Sequence, residues 1–196
     1  MKTFRAFGPI IGKGKLSKKI IKIINDQVDK TTITKKNDYS TKLVSQIKNE
    51  IKFSTSFINR KLSKELMKNI KKYLKKSNID KIKEVKLINL WVVRQLENEY
   101  NPIHYHEGLL SGVGYLKIPK NMNINKKVKN KKIKTNGTID FINGQKNFLS
   151  KSIYNLNPKV GDLMIFPNYL MHAAYPFNVE GERRSFSFNI KIIFKK

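Results

Sequence analysis

The sequence predicts a mainly β fold, a sandwich, barrel or jelly roll, with helices packed on it from the N-terminal side. Three observations lead there. Past residue 85 the chain divides into short extended segments punctuated by Gly, Pro and Asn. Ahead of that point, apolar residues recur at helical spacing. The length of 196 residues, with 39% hydrophobic and 10% aromatic residues, suits one well-cored domain and is short for two. The expected organisation is therefore a single domain over residues 1–196, with a mostly helical support region at 1–84 and the β core at 85–196.

Leu16, Ile20, Ile23, Ile24 and Val28 form the first helical stripe, with Ser17 as its cap. Leu43, Ile47 and Ile51 form a second. The third runs through Leu62, Leu66, Ile70, Tyr73 and Leu74, with lysines on the opposite face. All three are expected to pack against the rest of the domain rather than to bind a partner. VKLINLWVVRQL, residues 85–96, is rich in β-formers and apolar on both faces, so it reads as a buried strand. LLSGVGYLKIP, GTIDFI, GDLMIFP, MHAAYP and RRSFSFNIKIIF follow as further short strands. Between Pro119 and Gly137 lies NMNINKKVKNKKIKTN, an inserted loop with little apolar content. Its lysines, Lys126, Lys127, Lys129, Lys131, Lys132 and Lys134, either steer an anionic partner or are simply solvated.

No apolar run approaches the roughly 20 residues that span a bilayer. With no cysteine there is no disulfide framework, thiolate ligand or thiol nucleophile, and a cytoplasmic setting is expected. The formal charge of +27 has two readings. Clustered lysines suit a polyanion such as nucleic acid. Alternatively, A/T-rich coding favours lysine together with the abundant Asn and Ile. Arginine, the better residue for forked phosphate or base contacts, occurs only at positions 5, 60, 94, 183 and 184, which favours the coding explanation.

The three histidines are His104 and His106 in NPIHYHEG and His172 in FPNYLMHAAYPF. On an extended segment, residues i and i+2 point the same way, so His104 and His106 can approach one ion while Tyr105 points away. His172, beyond the turn at Pro167 and Asn168, can supply a third ligand and leave open positions for substrate or oxygen chemistry. The competing reading is a polar loop and an ordinary half-buried histidine. Downstream, the turn at Glu180 and Gly181 leads into a strand of clear alternation. Arg183, Ser185, Ser187 and Asn189 share one face, and Arg184, Phe186, Phe188 and Ile190 the other. An arginine with a serine two residues on is suited to holding a carboxylate through charge-assisted bonds.

NPIHYHEGLLSGVGYLKIP, GTIDF, GDLMIFPNYLMH and GERRSFSFNI, in that order, resemble the 2-oxoglutarate and iron(II) oxygenase group common in bacteria and marine phages. The resemblance covers about the last hundred residues. It implies a double-stranded β-helix, or jelly-roll, core that carries Fe(II) chelated by 2-oxoglutarate. On that pattern His104 and His172 are metal ligands and Arg183, with Ser185 beside it, anchors the far carboxylate of the cosubstrate. Tyr115 of SGVGYL is a further cosubstrate candidate, and Arg184 competes with Arg183. His106 occupies a position that is usually Asp or Glu in the wider superfamily, which here gives a neutral three-histidine site. Glu107 is expected to point to the opposite side. The implied reaction consumes O2 and 2-oxoglutarate, releases succinate and CO2, and hydroxylates an unidentified prime substrate. Two other readings stay open: a basic jelly-roll module that binds nucleic acid or an acidic partner without catalysis, and a cupin-like metalloenzyme that does not use 2-oxoglutarate.

Overall fold

The computed structural model describes residues 1–5, 8–123, 135–149 and 151–195. In chain order its main elements are β1 (Lys2–Arg5), β2 (Ile10–Lys15), α1 (Lys18–Asp29), β3 (Glu50–Lys52), the turn α2 (Thr55–Phe57), α3 (Ser63–Lys76), β4 (Ile82–Gln95), β5 (Asn101–His104), β6 (Leu110–Lys117), β7 (Ile139–Ile142), β8 (Ile153–Leu156), β9 (Asp162–Pro167), β10 (Met171–Ala174) and β11 (Arg183–Phe194). Seven strands form one sheet in the order β1-β2-β9-β6-β11-β4-β3, and four form a second in the order β5-β10-β7-β8. Every pairing is antiparallel. The two sheets face each other over Ile11, Tyr115, Met164 and Phe166 from one and Ile139, Phe141 and Leu156 from the other. This is the expected mainly β, jelly-roll architecture.

The helices back the outer face of the larger sheet. In α1 the Ser17 side chain caps the backbone N–H of Ile20, and Ile20, Ile24 and Val28 are buried. Glu65 of α3 accepts from both the N–H and the hydroxyl of Ser17, at 2.7 and 2.6 Å, which ties the two helices together. Leu66, Ile70, Tyr73 and Leu74 bury the inner face of α3 in the same cluster as Phe186, Phe188 and Ile190 of β11. Each such side chain contributes about 1.5–3 kcal/mol through burial. Among the described residues, no helix is long and apolar enough to cross a membrane.

Two expectations for residues 1–84 are corrected. The first is that this stretch is not only helical support: β1, β2 and β3 join the larger sheet, and β2 pairs with β9 from Gly12↔Ile165 to Lys15↔Asp162. That pairing spans about three quarters of the chain, so no local period announces it. The second is that the Leu43, Ile47 and Ile51 stripe is not a helix. Its segment is a single 3-10 turn at Ser40–Lys42, then irregular chain, then β3. Ser, Thr, Asn and Asp crowd residues 31–49 and compete with helical hydrogen bonding. Ile47 instead packs on Trp91 and Val93. The 85–96 strand is present as β4 up to Gln95 but is buried only at Leu90–Val93 and Gln95. Its first half lies at a sheet edge beyond the three-residue β3, and there Lys83 and Lys86 are exposed, as edge strands require.

The small residues of SGVGYL let β6 pass beneath the aromatic row of β11. A Cβ on Gly112 would stand 2.3 Å from the Phe188 ring, and one on Gly114 2.3 Å from the Phe186 ring. Gly114→Ala is therefore expected to cost about 1–3 kcal/mol through overpacking, read as a lowered midpoint in urea unfolding with an unchanged slope. A neutral result would mean that the Phe186 ring has room to move.

Candidate functional site

Strand register brings two of the histidines together. His172, second in β10, lies directly opposite His104, the last residue of β5, and opposite Phe141 of β7 on its other side. The His104 and His172 rings are 4.2 Å apart between centroids. His106 arrives differently, because β5 ends at His104 and the H-x-H pair is not one regular strand. The backbone N–H of His106 donates to the Asn168 carbonyl, and its own carbonyl accepts from the Asn168 side chain, both at 3.0 Å. Held there, its ring lies 5.1 Å from that of His104 and 4.9 Å from that of His172. One ligand atom from each histidine falls within 4.8 Å of the others. Tyr105 between the pair is exposed, and Glu107 is exposed and outside the cluster.

Each imidazole has its Nδ1 against an oxygen. His104 meets the Pro102 carbonyl at 2.7 Å, His172 the Leu170 carbonyl at 2.9 Å and His106 the Asn189 Oδ1 at 2.9 Å. Such oxygens only accept, so Nδ1 carries the proton and the Nε2 lone pair faces the centre, where that of His104 is met by the Asn101 side-chain amide at 3.5 Å. Burial lowers the pKa of all three: His106 to about 4, His104 downward, and His172 well below the usual value, with His104 and His106 reinforcing the shift. Three neutral imidazoles with converging lone pairs could hold a divalent transition metal. Asn189 went unassigned in the sequence beyond its place on the polar face of β11. It also accepts from Ser111 at 3.0 Å and thereby fixes the His106 ring. A buried polar residue in step with Arg183 was the available signal.

The alternation of β11 holds in the structure. Arg183, Ser185, Ser187 and Asn189 line one cavity of about 370 Å³ with the three histidines and Tyr115. Phe186, Phe188 and Ile190 point into the helix-backed core. Arg184 also points away from the cavity, to Asn25, Asp29 and Glu182. Arg183 is fully enclosed, and burial brings its guanidinium down to about 10. It donates to the Gly137 carbonyl at 2.9 Å and to the Gln95 side chain, while among the described residues its Nε has no partner. The Tyr115 hydroxyl is likewise buried without a partner among the described residues, and burial pushes its pKa up. Two orphaned donors in one enclosed corner fit an anion, and a carboxylate in particular.

The outer wall of the cavity escaped the sequence reading. Tyr39, Leu43, Val44 and Ile47, from the irregular segment ahead of β3, close over Trp91, which lies 5.5 Å from Tyr39 and 5.5 Å from His106. Ser45 anchors this segment by donating to Glu50, whose carboxyl is pushed up to about 7 by burial. Lys126, Lys127, Lys129, Lys131, Lys132 and Lys134 lie outside the described residues.

A family model described as "Putative 2OG-Fe(II) oxygenase" matches residues 89–189. No curated protein sequence matches the chain. Among solved structures, the viral collagen prolyl hydroxylase of Paramecium bursaria Chlorella virus 1, in its 2OG complex, superposes with a TM-score of 0.60 at 17% identity, covering 93% of this chain and 96% of that one. A Pseudomonas putida prolyl-4-hydroxylase gives 0.57 at 9% identity, with 95% and 92% covered. HygX of Streptomyces hygroscopicus, with nickel, 2-oxoglutarate and hygromycin B bound, gives 0.59 at 12% identity, with 96% and 84% covered. At these identities the superpositions speak to the fold.

Proposed function

The chain belongs to the 2OG-Fe(II) oxygenase family, and from that premise we propose that His104, His106 and His172 hold the iron while Arg183, aided by Ser185 and Tyr115, holds the far carboxylate of 2-oxoglutarate. The observation that carries this reading is the pairing of two unsatisfied needs within one cavity. Three imidazoles turn Nε2 lone pairs to one centre, that of His104 met only by a long 3.5 Å contact from the Asn101 side-chain amide, and among the described residues Arg183 Nε and the Tyr115 hydroxyl are buried donors without acceptors. Held by these residues, iron(II) and 2-oxoglutarate would supply the oxidising chemistry, the overall reaction passing one oxygen atom of O2 to succinate with loss of CO2 and the other to a C–H bond of the substrate.

The protein's own work is positional. Pro102, Leu170 and Asn189 keep the proton on Nδ1 of each histidine, so that the ligand atoms are fixed before metal arrives. Arg183, pinned by Gly137 and Gln95, cannot swing toward solvent, and burial strengthens its attraction for a carboxylate. Trp91, Tyr39, Leu43, Val44 and Ile47 shield the centre from water and offer the prime substrate an apolar wall. The full chain, residues 1–196, is read as one oxygenase unit, because β1, β2 and β3 complete the sheet that carries Arg183. Hydroxylation of a carbon presented against that wall is the proposed outcome.

Anaerobic titration of the purified protein with Fe(II) and then 2-oxoglutarate tests the assignment. A visible charge-transfer band that saturates at one equivalent of each is expected. Iron binding without any band or any 2-oxoglutarate affinity would leave a three-histidine metalloprotein that does not use this cosubstrate.

A further inference from the structure

A second concave surface lies on the helix-backed side of the larger sheet, away from the cavity that holds the histidines. A furrow between the β1–β2 hairpin, the start of α1 and the outer face of α3 is lined by Lys2, Lys13, Lys15, Lys19, Lys61, Lys64, Lys68 and Lys72. Those eight are half of its sixteen lining residues, whereas lysine makes up 36 of the 196 residues of the chain. Biased coding raises lysine everywhere and does not gather it in one concavity. By contrast, residues 87–116 and 160–190, which carry the histidine site, contain no lysine at all.

The furrow's charge is not neutralised from within. Its one acid, Glu65, is engaged by Ser17 at the cap of α1. Lys15 pairs with the buried Asp162 at 2.6 Å, and among the described residues the other seven lysines have no carboxylate partner. Lys64, Lys68 and Lys72 stand at helical spacing on one face of α3 and span about 12 Å at the usual rise per residue, and Lys61 precedes them on the π-helical turn Ile58–Leu62.

We propose that this furrow docks the phosphate backbone of double-stranded nucleic acid without sequence preference. Lysine is a point charge suited to phosphates, and among the described residues no arginine lines the furrow to read base edges by a fork. Among the described residues no aromatic side chain lines it either, so they offer no stacking platform of the kind that binders of single strands use. The lysines converge from two walls rather than lying in one plane, which suits a backbone ridge better than a flat lipid surface. The inference stands apart from the oxygenase reading, since none of these residues touches the histidine cavity.

Fluorescence anisotropy with a labelled duplex of mixed sequence, about two helical turns long, tests it on the full-length protein. Two quadruple variants of equal charge are compared: Lys61→Gln, Lys64→Gln, Lys68→Gln and Lys72→Gln in the furrow, and Lys35→Gln, Lys36→Gln, Lys48→Gln and Lys191→Gln outside it. All eight side chains are exposed, so neither variant disturbs the core. The furrow variant is expected to bind the duplex at least tenfold more weakly, with a slope of log K against log salt shallower by about 2–4, near 0.9 for each phosphate no longer neutralised. The control variant should change each only slightly. Equal losses in the two variants, no duplex binding by the wild type, or furrow-dependent binding to phosphatidylserine vesicles in place of the duplex would overturn the proposal.

Discussion

Replacing His172 with alanine is expected to abolish stoichiometric Fe(II) binding while the jelly roll stays folded. A hydrogen-bonded partner of a metal ligand is typically worth 10–100-fold in affinity or activity, so loss of a ligand should exceed that and Asn189→Ala should fall within it. The fold is expected to survive because β10 is held to β5 and β7 by backbone pairing, and the imbalance left by the missing ring is local to its contacts with His104, His106, Phe141 and Phe166. A second readout separates a ligand from a merely buried ring. In the metal-free protein all three histidines have folded-state pKa values below the unfolded value, so the unfolded chain binds more protons as pH falls through about 6.5. Stability is therefore present above that pH and lost on acidification toward about 4, where His106 titrates. His172→Ala removes one of these groups and should flatten the loss. Full iron occupancy in His172→Ala or His104→Ala would remove that residue from the metal site. His106→Asp should keep part of the affinity, because a carboxylate restores a ligand at the same position.

How far the sequence could be read follows from where each constraint acts. The alternation of β11 was legible because both of its faces are buried for different reasons, one against the helix-backed core and the other around polar chemistry. The Leu16 to Val28 stripe was legible because cap, period and core face all act within twelve residues. β1 and β2 were not, since β2 is placed by pairing with a strand at residues 162–167, β1 pairs only with β2, and the glycines of β2 interrupt its apolar pattern. The Leu43, Ile47 and Ile51 spacing copied a helix by coincidence, when its cause is contact with Trp91, Val93 and the β4 edge. His104 and His172 followed from strand logic, but the aim of His106 depends on Asn168 and Asn189, 62 and 83 residues away. The lysine excess was ambiguous in one dimension, because only the fold shows which lysines share a concavity.

Arg183→Ala should raise the dissociation constant for 2-oxoglutarate by roughly 10- to 150-fold, the equivalent of about 1.5–3 kcal/mol for a lost charge-assisted pair. Its neighbour provides the internal control. Arg184 lies on the opposite face of β11 and bonds Glu182 through Nε at 2.7 Å and Asp29 through Nη2 at 2.7 Å. Burial alone would push the Glu182 carboxyl upward, but hydrogen bonds and charge from Arg184 and Arg94 hold it at about 2. Arg184→Ala breaks this largely buried network and should destabilise the protein by about 3 kcal/mol, because Arg94 remains to pair Glu182. Its affinity for 2-oxoglutarate should be unchanged. Arg183→Ala also strips a donor from the Gly137 carbonyl and from Gln95, so some loss of stability accompanies its binding defect. The dissociation constant, measured anaerobically from the charge-transfer band below both melting transitions, distinguishes the two arginines. Arg183→Lys keeps a charge but no fork, so it should fall between wild type and alanine. If Arg184→Ala weakened 2-oxoglutarate and Arg183→Ala did not, the anchor would lie on the other face of β11, and the orphaned Arg183 Nε and Tyr115 hydroxyl would need a different acceptor.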